Sequence, residues 1–276
     1  MRFKLRIDLS CQFDPAARAV NEILRLNPRN HEGQQVLDWG IECDVDSEIN
    51  FYDDSAGNLT QSVSANGPVS LVTTTVSFLV DTYDTAGMVR GLVERFPEPL
   101  FLRSTARTAA GPGIGAFADK QRSGIKAGDG AFAALHALLP ALCEVLDWNH
   151  ELLSCDVASV RDAEAVFQSG AGNAAEIAQV FAACARRMGM PARVVSGCHF
   201  DESEAAVENG AMHAWSEVYA EGYGWIGFDA AVGICTAETH VRFAAGVDWP
   251  AAAPVRVGSV GFAAESTALH VSMKIA

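Results

Sequence analysis

His213-Ala-Trp-Ser-Glu-Val-Tyr219, running through a tight turn into Gly224-Trp-Ile-Gly-Phe-Asp229, decides how this chain folds. The two runs predict strands over 212–220 and 225–230, joined as a hairpin across Glu221-Gly-Tyr-Gly224. Side chains alternate along a strand, so His213, Trp215, Glu217 and Tyr219 share one face. Ala214, Ser216 and Val218 share the other. Asp229 stands towards the far end of the return strand, which brings it back to the His213 end of the hairpin. A carboxylate placed there holds one imidazole nitrogen and leaves the other facing a nucleophile.

The nucleophile is sought upstream, at Gly172-Asn-Ala-Ala-Glu176. Ile177, Val180, Phe181, Cys184 and Met188 recur at helical spacing as one apolar stripe. Asn173 is a good N-cap, Glu176 three residues later completes a capping box, and Gly189 followed by Pro191 ends the helix. Residue 174 is then the first helical position, beside free backbone N–H groups and the positive end of the helix dipole. A cysteine there would be acidified, and the same N–H groups would help to hold an oxyanion. The chain has Ala174. Cys184 falls on the buried stripe, whereas Cys198 lies at the end of the next strand, over 192–197, and is the one alternative thiol near the site. Trp215 and Trp225 are candidates for lining a substrate channel.

Further out the signals are coarser. Residues 1–103 read as a β-rich, sandwich-like domain, with alternating runs such as Arg2–Leu9 and Leu71–Val80 between turn clusters. Residues 104–129, rich in Gly, Ala and Ser, read as a linker or crossover. Residues 130–276 read as an α+β core: helices over 131–148 and 162–168, the helix from 174, the hairpin, and terminal strands over 254–257 and 269–275. The chain of 276 residues carries a net charge of −14, which argues against nucleic-acid or anionic-membrane partners. No apolar run approaches the roughly 18 residues of a membrane span. The first residues read as a strand rather than a signal peptide, so a cytoplasmic location is expected. The seven cysteines form no CxxC pair and the seven histidines no HExxH spacing, so neither a metal nor a cofactor is expected.

The order and spacing of the helix, Gly189-Met-Pro-Ala-Arg-Val-Val-Ser-Gly197, the His213 strand and the Asp229 strand resemble the bacterial transglutaminase-like superfamily of papain-type thiol enzymes. The resemblance continues through Thr239-His240, Ala245-Gly-Val-Asp248 and Pro254-Val255. Arg25-Leu-Asn-Pro-Arg29, Gly33-Gln34 and Asp54-Ser-Ala-Gly-Asn58 resemble the β domain that precedes this core in many members. The resemblance implies a transglutaminase-like core, with His213 as catalytic base, Asp229 as its acid and the cysteine position at Ala174. His240 and Asp248 are read as structural. The chain departs from the family pattern at several neighbours as well: Ala175, Glu176, Cys198, Ala230 and Ala231.

Family chemistry is cysteine attack on a peptide or side-chain amide, so the implied partner is a peptide or protein segment. Two accounts of Ala174 compete: natural loss of the nucleophile, leaving a binding protein, or deliberate replacement of a cysteine in a protease, amidase or transglutaminase. Deliberate replacement would leave the neighbours intact, and their joint departure favours natural loss. A third possibility is a hydrolase that uses Cys198 or a water activated by His213.

Overall fold

The computed structural model describes residues 1–124, 130–151, 153, 155–201 and 211–276. Inward-facing apolar residues shape its first element. Phe3, Leu5, Ile7, Leu9, Cys11 and Phe13 are buried while the residues between them meet water, the period of a strand covered on one face. This strand, β1 (Arg2–Leu24), runs antiparallel to β4 (Leu59–Thr82), so the short runs expected over 2–9 and 71–80 are parts of two long strands. β2 (Gln34–Cys43) and β3 (Ser47–Asp53) flank β4. The β1–β4 register shifts between Gln12 and Ala19. There Gly67 comes so close to β1 that a Cβ would stand 2.2 Å from the Ala17 carbonyl oxygen, and only glycine fits.

The other flank of β1 corrects the expected division of the chain. β13 (Val255–Val260) and β14 (Ser266–Ile275) pair with β1 rather than completing the core. They satisfy the free edge of β1 and bury Val255, Val271 and Met273. The stretch read as a linker also holds structure: α1 (Pro112–Ser123) starts with proline in its first turn and buries Ile114 and Ala118 one turn apart. Residues 125–129 of that stretch lie outside the described residues.

The second sheet has the order β11 (Ile234–Cys235), β10 (Gly224–Asp229), β9 (Ala211–Ala220), β8 (Ala192–His199), β12 (His240–Gly246). β5 (Met88–Val89) joins it along β10, from the N-terminal part of the chain. α2 (Ala131–Cys143) is shorter than expected, because Asp147–Trp148 leave the helix to form β6, parallel to β7 (Ala171–Gly172). After α3 (Ala163–Ser169) comes α4 (Ala174–Arg187), which packs on β8 and β9. Every residue of α4 from Ala174 to Arg186 is buried, so the single apolar stripe understates its cover. Its polar groups are paired. Gln179 bonds the Arg161 carbonyl and the Trp249 N–H, and Arg186 donates to the carbonyls of Phe101, Ala192 and Val247. A helix enclosed on all sides favours small side chains where its neighbours come closest, in keeping with its many alanines. No helix among the described residues is long and apolar enough to cross a membrane. The architecture is α+β, with helices on one face of an antiparallel sheet beside a second, strand-rich sheet.

Candidate active site

Topology gathers the three predicted positions at one end of the second sheet. The turn at Gly189-Met-Pro191 reverses α4 into β8, and β9 is antiparallel to β8, so β9 runs in the same direction as α4. The Ser216 hydroxyl fixes their register by donating to the Ala178 carbonyl at 2.7 Å. Ala174 and His213 therefore both stand at the start of their elements, on the same side of the molecule. β10 returns antiparallel to β9 and delivers Asp229 there too. The helix start is capped as the sequence predicts: Asn173 accepts from the Glu176 N–H at 3.0 Å, and the Glu176 carboxylate accepts from the Asn173 N–H at 3.1 Å. Arg161 grips both oxygens of that carboxylate, donating to Oε1 at 2.9 Å and to Oε2 at 2.8 Å.

His213 and Asp229 are in direct contact. His213 Nε2 lies 2.6 Å from Asp229 Oδ2, with the carboxyl fully buried. Burial alone would raise the Asp229 pKa, but the charge of His213 and hydrogen bonds from His213 and His240 hold it far below the usual carboxylate range. The Ala231 and Val232 N–H groups donate to its other oxygen, Oδ1, at 3.0 and 3.2 Å. Because the carboxylate is ionised, Nε2 of His213 is the donor and Nδ1 is left as the basic nitrogen. Ala174 and His213 are both 3% exposed. The link between them is Trp148, which pairs with Gly172 just ahead of α4 and sets its ring edge-on, 5.4 Å from the imidazole. The Trp148 indole N–H is buried and has no acceptor among the described residues. His150 stacks on Trp148 at 4.0 Å from a left-handed backbone, φ 54°, a conformation that costs energy in a residue other than glycine.

Much of the motif serves to build this face rather than to react. Gly197 lies opposite His213, and a Cβ there would meet the Trp215 ring at 2.4 Å; the glycine makes room for the tryptophan. Glu217 is fully buried between Arg193 at 2.6 Å and Arg242 at 2.7 Å. Burial pushes its pKa up, and the charges of Arg242 and Arg193 more than reverse this, to about 2. Arg193 in turn lies over the Trp225 ring at 4.0 Å.

The expected substrate-lining residues fare differently. Trp225 sits at the opposite end of β10 from Asp229 and packs with Phe101, Tyr219 and Arg193, so it does not line the site. Trp215 is at the site, buried against His240 at 5.3 Å between ring centres. Cys198 is fully buried with Met212 as its neighbour, and burial pushes its thiol far above the ordinary range; it is no substitute nucleophile.

Three groups, Trp148, His199 and the Glu217 ion pairs, escaped the sequence reading, and His240, read there as structural, stands against Asp229. The indole of Trp148 arrives through a two-residue parallel pairing with no sequence signal. His240 and His199 arrive because β12 and β8 pair, setting their rings 4.6 Å apart. Burial and the neighbouring imidazoles of His240 and His213 lower the pKa of His199 to about 4. The Glu217 ion pairs did have a signal, since a carboxylate on the inward face of a strand demands a buried cation.

With this geometry in place the chain can be compared with known proteins. Residues 126–230 match the transglutaminase-like superfamily, and residues 4–81 match the bacterial transglutaminase-like N-terminal region. The chain belongs to the transglutaminase-like superfamily. A candidate cysteine protease from Cytophaga hutchinsonii has a similar structure, with TM-score 0.75 and 21% identity over 99% of this chain and 90% of that one. That likeness shows a common fold across both sheets. The periplasmic domain of TgpA from Pseudomonas aeruginosa is more distant, with TM-score 0.40 and 15% identity over 83% of this chain and 87% of that one. No curated protein sequence matches the chain. Within the residues that match the superfamily core, His213 and Asp229 are in direct contact, and the helix start ahead of them carries Ala174.

Proposed function

We propose that this protein is a thiol-less member of its superfamily, which holds a peptide or protein segment at the inherited site without transferring its acyl group. The observation that carries this reading is the methyl group of Ala174 at the first position of a fully capped helix. The two thiols on the elements that flank the site, Cys184 on α4 and Cys198 on β8, do not replace it. Cys198 is sealed in the sheet, and burial pushes Cys184 up to about 12. The imidazole retains an oriented lone pair but has no thiol to deprotonate, so the first step of acyl transfer is missing. A partner carbonyl reaching the Trp148 indole would satisfy a buried donor that has no acceptor among the described residues.

The intact bond between His213 and Asp229 favours a second reading, an acyl-transfer hydrolase in which only the sulfur is missing. Ala174→Cys separates the two. The helix start acidifies a thiol under either reading, and the binding-protein reading expects no hydrolysis of mixed peptide amides by the variant. Amide turnover would overturn it in favour of the second reading.

A further inference from the structure

The carboxylate of Asp229 serves two imidazoles through one oxygen. His213 Nε2 stands 2.6 Å from Oδ2 and His240 Nε2 stands 3.2 Å from the same atom. The second contact has a defined direction. His240 Nδ1 accepts the Ala237 N–H at 3.2 Å, so its proton must reside on Nε2, and Nε2 donates to Asp229. Ala237 belongs to the turn that leads into β12, and its carbonyl accepts from the His240 N–H at 3.0 Å, so the turn aims the ring from both sides. Oδ1 is already held by the chain that follows Asp229. Oδ2 is the oxygen whose position depends on side chains alone.

We propose that His240 is a positioning residue for the His213–Asp229 pair, holding Oδ2 so that His213 keeps its proton on Nε2 and presents a bare Nδ1. This assigns a role in the acid–base unit to a residue that packing alone would class as core, buried between Trp215 and His199. The inference rests on reading His213 and Asp229 as a retained acid–base pair. It needs neither a thiol at residue 174 nor a bound peptide.

The test is the tautomer of His213, read from the ring nitrogen shifts by NMR in the ligand-free, otherwise native chain. The native protein is expected to show the Nε2–H form. His240→Gln keeps an N–H at the required reach and is expected to preserve that form. His240→Leu keeps the bulk and removes the donor, and the tautomer ratio is expected to move by roughly five-fold towards Nδ1–H, the factor one net hydrogen bond supplies. A purely structural role would lower stability in His240→Leu and leave the ratio of the folded protein unchanged, and that result overturns the proposal. If His240→Leu does not fold, His240→Asn replaces it, because its amide is too short to reach Oδ2; equal tautomer ratios in the Gln and Asn variants likewise overturn the proposal.

Discussion

Each of the two sheets buries a carboxylate, and the two meet opposite fates. In the core sheet Asp229 is fully enclosed and receives two imidazoles and two backbone N–H groups. It remains ionised. In the N-terminal sheet Glu22, 1% exposed, receives the Thr74 hydroxyl at 2.6 Å, and its Oε1 has no partner among the described residues. Burial pushes Glu22 up to about 7. Burial is nearly equal at the two sites, so the charge of His213 and the number of donors decide which carboxylate keeps its charge. The two regions differ accordingly. The core face is a charged network built around Glu217 and Asp229, whereas the N-terminal interior tolerates its acid by keeping it neutral. Gln61 supports this view. In the β1–β4 register Glu22 faces Val63 and Leu24 faces Gln61, so Glu22 and Gln61 are diagonal neighbours on one face. The Gln61 carbonyl is also buried without a donor, and a protonated Glu22 can supply one.

The largest effect that would sharpen this comparison comes from the charged side. Glu217→Gln leaves Arg242 buried without its counter-ion and Arg193 with Glu94 alone, and is expected to lower stability by about 3–5 kcal/mol in urea denaturation. A loss below about 1 kcal/mol would mean that the network is not what holds this face together.

On the neutral side, the folded pKa of Glu22, about 7, lies above its unfolded value. Its contribution is therefore complete below the unfolded pKa, about 4.3, and is lost as pH rises through 7. Glu22→Gln cannot ionise and should remove that decline, on the order of 2 kcal/mol between about pH 5 and 8. Parallel stability curves for the native chain and the variant over that range would break the comparison.

The smallest expected effect probes packing. Gly197→Ala drives a Cβ into the Trp215 ring and the Val241 carbonyl, at a cost of about 1–3 kcal/mol. Because Trp215 supports the ring of His240, the tautomer signal of His213 should respond as well. A variant as stable as the native chain, with native ring signals, would show that the tryptophan has slack to move.

The legible parts of the fold were those specified over a few residues. Asn173, Glu176, Gly189 and Pro191 mark the ends of α4, because caps and terminators act on neighbouring backbone groups. The β9–β10 hairpin follows from alternation and its glycine-rich turn, and alternation alone puts His213 and Asp229 on one face. The hidden parts depend on partners distant in the chain. The tail strands look no different whether they pair with the core or with β1. Alternation tells which side chains face inward, but not what covers them. Cys198 near the end of β8 looks available in sequence and is sealed by its neighbours in space.

By itself, the sequence determined the capped helix start at Ala174, and the hairpin that aligns His213 with Asp229. Both follow from local geometry, from helix capping and from the two-residue period of a strand. Only the tertiary structure decided that Asp229 is shared with His240, that Trp148 joins the helix start to the histidine, and that Trp225 belongs to the far end of the sheet. Those outcomes depend on strand order and register, which are set by the packing of the whole chain and leave no mark on the residues around each site.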